Sequence, residues 1–273
     1  MRVLVTGGCG FIGSNLNLNH EVATLDCMTY AATKKPDYLV DICDQDEVRK
    51  VVKDFRPDAV VHLAAETHVT RSLEDAIPFI RANVYGTISM LKACAGIRFI
   101  HVSTDEVYGD AGGTAEDAFL LPTNPYASSK ALGDFIARQY NVVVVRPCNN
   151  FGPNQHVEKF IPRSIARVRA GDPIELHGDG QHKREWMHVS DFSSAIGILL
   201  ERGEGVYNVG TGFELTNETV AKTIQRIIGG SIVYVQDRYK NDRQYGMKCD
   251  RIRALGWMPK TSFEQGINSL CAM

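Results

Sequence analysis

The 273-residue sequence has no apolar run approaching the roughly 18 residues that a membrane-spanning helix needs, so no membrane partner is expected. It has no excess of one charge either. Thirty Lys+Arg against 32 Asp+Glu leave a formal charge of −2, which argues against a nucleic acid or anionic surface recognised by bulk charge. Its seven cysteines (Cys9, Cys27, Cys43, Cys94, Cys148, Cys249 and Cys271) are scattered, odd in number and never spaced Cys-x-x-Cys, so they read as reduced, mostly buried small apolar residues. Metal binding has little support: His62 and His68 lie outside the usual ligand spacing, and His177, His182 and His188 sit in a loop-like stretch. MRVLVTGG runs straight into a strand and a glycine turn, without a charged n-region, apolar core and cleavage site, giving a cytoplasmic expectation.

What is present is an ordinary globular composition, 44% hydrophobic and 23% charged, enough to bury a core. Short β-branched apolar runs recur at Arg2 to Thr6, Glu21 to Asp26, Ala59 to Leu63, Phe99 to Ser103 and Val142 to Arg146. Between them, 46–55, 77–95 and 125–140 carry helical periodicity. Strands buried on both faces and alternating with helices mean an α/β fold with a doubly wound parallel sheet. After Pro147 the pattern changes to Gly-, Pro-, Asn- and His-rich loops with helices at 160–170, 191–201 and 216–228. The expected division is therefore 1–147, the sheet domain, and 148–273, a smaller region built on it, with segments near 191–210 returning to the main sheet.

Thr6-Gly7-Gly8-Cys9-Gly10-Phe11-Ile12-Gly13 directly follows the first run. Glycines at this spacing permit a tight turn and let backbone amides approach a pyrophosphate. Asp26 ends the second run, where a carboxylate binds the ribose hydroxyls of NAD and repels the extra phosphate of NADP. The alternative is a glycine turn with a surface aspartate. Only Ser14 to His20 separate this motif from the second run, whereas a βαβ crossover takes ~10–12 residues or more. Seven extended residues span roughly 24 Å but as a helix rise only ~10 Å, so the crossover is expected to be a loop or a single helical turn.

Tyr126-Ala127-Ser128-Ser129-Lys130 places an ammonium four residues after a phenol, on one helix face. Tyrosine is a poor base at neutral pH until a cation stabilises its phenolate, and Lys130 is expected to supply that cation. Ser103-Thr104 end the fourth run, and sites in such sheets gather at the strands' carboxyl ends.

These residues resemble the extended short-chain dehydrogenase/reductase superfamily and, more narrowly, its nucleoside-diphosphate-sugar 4,6-dehydratases. The resemblance runs from Met1 to about Ile267 and includes HLAAETHV at 62–69, NVYGT at 83–87, STDEVYG at 103–109, NNFGP at 149–153, REW at 184–186 and Asp242-Arg243. It implies a Rossmann fold with NAD as cofactor in the first domain and a nucleotide sugar held mainly by residues 148–273. Thr104-Asp105-Glu106 is the discriminating element, because the related sugar epimerases lack the Asp-Glu pair. The resemblance makes Tyr126 the base for the carbon 4 hydroxyl, Glu106 the base for carbon 5 and Asp105 the acid for the carbon 6 hydroxyl, with Thr104 and Lys130 completing the catalytic set. From the residues alone, the start of a helix favours ionised Asp105 while burial and Glu106 oppose it.

By the same resemblance Gly7, Gly10, Phe11, Ile12, Gly13, Asp26, Asp41, Ile42, Ala64, Ala65, Asn83, Tyr126 and Lys130 face the cofactor. His68, Thr104, Asn150, Lys159, Arg184, Asn208 and Arg243 face the substrate, the arginines on its diphosphate. A homodimer through 77–95 and 124–140 is implied. Three departures leave base and sugar open: His177 replaces the usual Tyr, Asn241 the usual His, and Tyr239-Lys240 a Pro-Gly turn. dTDP, UDP, CDP and GDP sugars all remain candidates. The competing functions are a nucleotide-sugar 4-epimerase or reductase, which needs no Asp105-Glu106, and a nucleotide-binding module without turnover.

Overall fold

The computed structural model describes residues 1–237 and 242–273. Seven parallel strands form the main sheet in the spatial order Val206–Val209, Val143–Pro147, Arg98–Val102, Ala59–His62, Arg2–Thr6, Glu21–Asp26, Tyr38–Leu39. Five of these match the apolar runs within a residue or so, and Val206–Val209 closes one edge from beyond residue 147. The short strand Tyr38–Leu39 carries too few residues to show periodicity. Chain order reverses between Arg2–Thr6 and Ala59–His62, opening a crevice at the strands' carboxyl ends.

Alternation along the strands buries both faces. Val3, Val5, Val61, Ile100, Val102, Val143 and Val145 pack on one side with Phe192, Ala195, Ile196 and Leu199 of the helix Val189–Arg202. Leu4, Leu25, Val60, Phe99 and Val144 pack on the other with Val48 and Val51 of the helix Gln45–Phe55 and with Met90. A separate cluster of Phe151, Ile161, Ile165, Leu176, Trp186, Val220 and Ile224 forms the core of the C-terminal region. That region holds three strands, Glu214–Thr216, Lys183–His188 and Asn149–Phe151, in one small sheet. Tyr245–Met247 pairs back onto Ala111–Thr114, which joins the two regions a second time.

The first crossover holds only the four-residue helical turn Phe11–Ser14. So short a turn adds little macrodipole. The segment after it is fastened sideways: Asn15 Nδ2 donates to Pro153 O at 2.9 Å, Asn17 N donates to Ser193 Oγ at 2.8 Å, and Leu18 enters the core.

The expected helix over 77–95 runs from Ile77 to Ala93, but its middle, Arg81–Gly86, is a π-helical turn. The extra residue turns Asn83 inward, where its Oδ1 accepts from Glu66 N at 2.8 Å and its Nδ2 donates to Glu66 O at 3.0 Å and Ser129 Oγ at 2.8 Å. The helix Pro125–Ala137 packs against this turn so closely that a β-carbon on Gly133 would stand 2.6 Å from Asn83 O. Alanine is the better helix former by up to ~1 kcal/mol, but overpacking against backbone costs ~1–3 kcal/mol. Gly133→Ala should therefore lower stability, read as a lower denaturant midpoint; an unchanged or raised midpoint would show that the two helices can part without cost.

Candidate active site

The glycine motif closes on itself through contacts that exclude side chains. Gly7 has φ +65°, and a β-carbon there would lie 2.7 Å from Ala64 N; one on Gly13 would collide with Gly7 O and lie 2.6 Å from Gly8 Cα. A β-carbon on Gly10 would meet only Gly7 O, at 3.4 Å, so that position opens toward the cleft. The turn is locked by Asp26, whose two oxygens accept from Cys9 N at 3.0 Å and Met28 N at 2.9 Å. Each carboxylate oxygen keeps a second lone pair for a ribose hydroxyl. The residues present fit a dinucleotide: a cradle without side chains, a carboxylate at the second strand end and the small Ala64 and Ala65 line one cleft of about 340 Å³.

The same cleft is lined by Gly7, Gly10, Phe11, Ile12, Gly13, Asp26, Asp41, Ile42, Thr104, Asp105, Glu106, Tyr126, Lys130, Asn150 and Lys159, so the strand ends bring most of the expected residues together. Asn83 stands behind this wall, holding the Glu66 backbone rather than facing the cleft.

Asn124 caps the helix of Tyr126 and Lys130 by accepting from Ala127 N at 2.8 Å, and Pro125 begins it without an orphan N–H. Asn124 Nδ2 also donates to Glu106 Oε2 at 3.4 Å. Lys130 stands one helical turn beyond Tyr126 on the same helix. Lys130 Nζ donates to Val102 O at 2.7 Å, and burial lowers its own pKa to about 8 despite the charge of Asp134. Tyr126 is buried, and burial followed by the Glu106 and Asp105 carboxylates pushes its phenol well up, while a hydrogen bond with Thr104 pulls it back.

Asp105 and Glu106 sit on the single 3₁₀ turn Asp105–Tyr108, capped by Thr104, whose Oγ1 accepts from Glu106 N at 3.3 Å and donates to Asp105 Oδ1 at 3.1 Å. No true helix follows, so the dipole that would favour ionised Asp105 is small. Asp105 is 3% exposed, and burial, then the Glu106 charge, raises its pKa well above the carboxylate range. Its Oδ2 has no hydrogen-bond partner. Glu106 is raised too, chiefly by burial, but Arg184 and Lys159 draw it down. The two carboxyls are thus pushed apart in acidity, the pattern of an acid and a base.

Among the expected substrate residues, Asn150 leaves a buried Oδ1 without a hydrogen-bond partner, and Lys159 Nζ donates to Thr67 O at 3.0 Å. Arg184, Arg243, His68 and Asn208 do not line the cleft. Arg184 Nη2 donates to Asp242 O at 2.9 Å and its guanidinium stacks 4.3 Å from the Tyr245 ring centre, while Arg243 pairs with Asp179 at 3.1 Å on the surface. His68 caps the helix Val69–Glu74 and lies 3.6 Å from Glu158. Asn208 is corrected from a substrate ligand to a structural residue: it is fully buried, and its amide donates to Thr114 O and Lys248 O at 3.0 Å while accepting from Tyr108 OH at 2.7 Å. His182 is buried, with its Nε2 3.4 Å from Asp237. Asn241 and Tyr239-Lys240 lie outside the described residues. Among the described residues no His, Cys, Asp or Glu cluster could hold a metal, no helix could cross a membrane, and every cysteine is free.

Sequence reasoning missed Glu158, which accepts from Tyr30 OH at 3.1 Å and so joins the loop after the second strand to the far wall of the cleft. It also missed Ser72, whose Oγ accepts from Tyr126 N at 3.1 Å. Neither belongs to a spaced motif. Asn124 was legible as an Asn-Pro helix start, though not as a partner of Glu106.

The model of the family described as "NAD dependent epimerase/dehydratase family" matches residues 3–210. The chain is 40% identical over 302 aligned residues to the low-salt glycan biosynthesis protein Agl12 of Haloferax volcanii, covering 98% of this chain and 97% of that protein. It superposes with a TM-score of 0.92 and 36% identity on the dTDP-glucose 4,6-dehydratase DesIV from Streptomyces venezuelae, solved with NAD bound, covering 100% of this chain and 96% of that one. The TM-score is also 0.92, at 30% identity, against the Thermus thermophilus UDP-glucose 4-epimerase in complex with NAD, covering 98% of this chain and 97% of that one.

Asp26 gives the cofactor preference its test. Isothermal titration should find NAD binding far more tightly than NADP, and Asp26→Asn should narrow the gap; equal binding of both by the parent protein would contradict the assigned carboxylate role. With its match from residue 3 to residue 210, the chain belongs to the NAD dependent epimerase/dehydratase family.

Proposed function

We propose that this protein dehydrates a nucleoside-diphosphate hexose to its 4-keto-6-deoxy product, with dTDP-glucose the first substrate to try. The observation that carries the reading is the buried Asp105-Glu106 pair in the cleft of Tyr126 and the dinucleotide cradle, with an Asp105 Oδ2 that has no hydrogen-bond partner; burial and the Glu106 charge raise the Asp105 pKa, which suits it to the acid's part. An epimerase has no step that uses this acid.

The cradle of Gly7, Gly10 and Gly13 together with Asp26 would hold NAD, which would supply a hydride acceptor toward carbon 4 and a hydride donor toward carbon 6. Tyr126 takes the proton of the carbon 4 hydroxyl, with the Lys130 charge one helical turn away assigned to favour its phenolate. The resulting ketone acidifies carbon 5. Glu106, the more acidic carboxyl, removes that proton; Asp105 delivers its own to the departing carbon 6 hydroxyl, and water leaves. Asn150 and Lys159 line the same cleft and are assigned to the sugar, while residues 148–273 are assigned to the nucleotide. A homodimer is inferred from the exposed Ile77, Ile80, Tyr85, Leu132 and Phe135 on the helices 77–93 and 125–137, apolar surface that a second copy would cover.

The two carboxyl groups separate oxidation from elimination. Asp105→Asn keeps the site's shape but has no proton to give, so NADH should accumulate with a 4-keto-hexose that retains its carbon 6 oxygen, and water loss should fall ~10²–10⁴-fold. Glu106→Gln should slow elimination and suppress solvent-deuterium uptake at carbon 5. Rapid-quench mass spectrometry decides: dehydration by Asp105→Asn at the parent rate, or a parent protein that only inverts carbon 4, would overturn the proposal.

A further inference from the structure

Beneath the cleft, a fully buried arginine joins two elements that carry different halves of the chemistry. Arg146 lies on the strand Val143–Pro147, in register with Asn208 of the neighbouring strand, and both are 0% exposed. Its Nε and Nη2 donate to both oxygens of Asp134, at 2.8 and 2.9 Å, in a bidentate pair. Asp134 stands one turn beyond Lys130 on the helix that also bears Tyr126. Arg146 Nη1 donates to Tyr108 OH at 2.6 Å and to Glu116 O at 2.9 Å, and the guanidinium lies 4.9 Å from the Tyr108 ring centre. Tyr108 ends the turn that bears Asp105 and Glu106, and its hydroxyl donates a hydrogen bond to Asn208 Oδ1 at 2.7 Å.

One chain of hydrogen bonds, Asp134 to Arg146 to Tyr108 to Asn208, therefore links the helix that bears Tyr126 and Lys130 to the turn that bears Asp105 and Glu106. A buried Arg–Asp pair alone would be read as fold architecture. The Tyr108 link is different, because it leaves the ion pair intact and reaches only the acid/base turn. That turn is also held by its Thr104 cap, by Leu121 N donating to Val107 O at 3.0 Å, by Val107 and the Tyr108 ring in the main core, and by the long Asn124–Glu106 contact of 3.4 Å; of these ties the Tyr108 hydroxyl is the one that reaches the Arg146–Asp134 pair.

We propose that Tyr108 is a positioning residue for elimination, its hydroxyl held by Arg146 and Asn208 so that Asp105 and Glu106 meet carbons 6 and 5 of a sugar whose carbon 4 lies at Tyr126. This rests on the dehydratase reading. Oxidation uses Tyr126 and Lys130, whose helix stays tied to the sheet through Asp134 when the Tyr108 hydroxyl is removed; elimination uses the turn that loses its tie to Arg146.

The test is Tyr108→Phe, which keeps the ring in the core. In a single turnover with NAD-loaded enzyme and dTDP-glucose, NADH absorbance reports oxidation and quenched mass spectrometry reports water loss. Oxidation should stay within about twofold of the parent while elimination slows by on the order of 10-fold or more, the scale of loss that small misplacements cause, so that NADH accumulates. The ratio of the two rates is taken on active molecules alone, so a lower folded fraction does not alter it. A purely structural tyrosine would slow both steps equally or neither, and either result overturns the proposal. The parent protein is run beside it: if the parent oxidises but never loses water, the dehydratase reading fails and takes this inference with it, whereas a dehydrating parent with an unchanged ratio in Tyr108→Phe defeats the inference alone.

Discussion

Taking a carboxyl group out of water raises its pKa, and the arrangement around Asp105 is built on that burial. A residue 3% exposed beside a second carboxyl cannot hold a charge cheaply. Its neighbours Val107 and Tyr108 pack into the main core, and the turn they share is too short to supply a dipole that would ionise it. Burying the Tyr108 hydroxyl calls for a partner, Arg146; burying Arg146 calls for a counter-charge, Asp134. The acidity of one side chain is thus supported by a polar network that extends to the opposite wall of the site.

The fold itself does not select the reaction. The chain overlays a dehydratase and an epimerase with the same TM-score of 0.92, because the parallel sheet does one thing for both: it aims strand ends, and the loops that follow them, at one crevice. The glycine turn after the first strand, Asp26 after the second, Ala64 and Ala65 after Ala59–His62, Thr104 to Glu106 after Arg98–Val102, and Asn150 after Val143–Pro147 all arrive there. Chemistry is decided by what those loops carry, and here one of them carries a second proton donor.

Most of this was legible in sequence wherever the signal was local. β-branched runs marked the strands because both sheet faces are buried, and the glycine, Tyr-x-x-x-Lys and Thr-Asp-Glu motifs lie within single turns. Seven residues between Gly13 and the second strand were enough to exclude a full crossover helix. What stayed hidden depends on contacts between distant segments. The hydrogen bond that ties Lys130 to the sheet, to Val102 O, is one that no spacing reveals. Asn208 read as a substrate ligand because it is polar and follows the family pattern, yet the strand register sets it against Arg146 in the core. The π-helical turn at Asn83 was invisible because its periodicity matches an ordinary helix over so short a stretch.

The central claim is that one hydride leaves carbon 4 and returns to carbon 6 of the same sugar while water departs between. The direct measurement uses dTDP-glucose bearing deuterium at carbon 4, with the product analysed by NMR and mass spectrometry. The account predicts that the label reappears at carbon 6 of a 4-keto-6-deoxy sugar, in the same molecule, with no net reduction of NAD. Label remaining at carbon 4 of an inverted hexose, or lost to solvent, would contradict it.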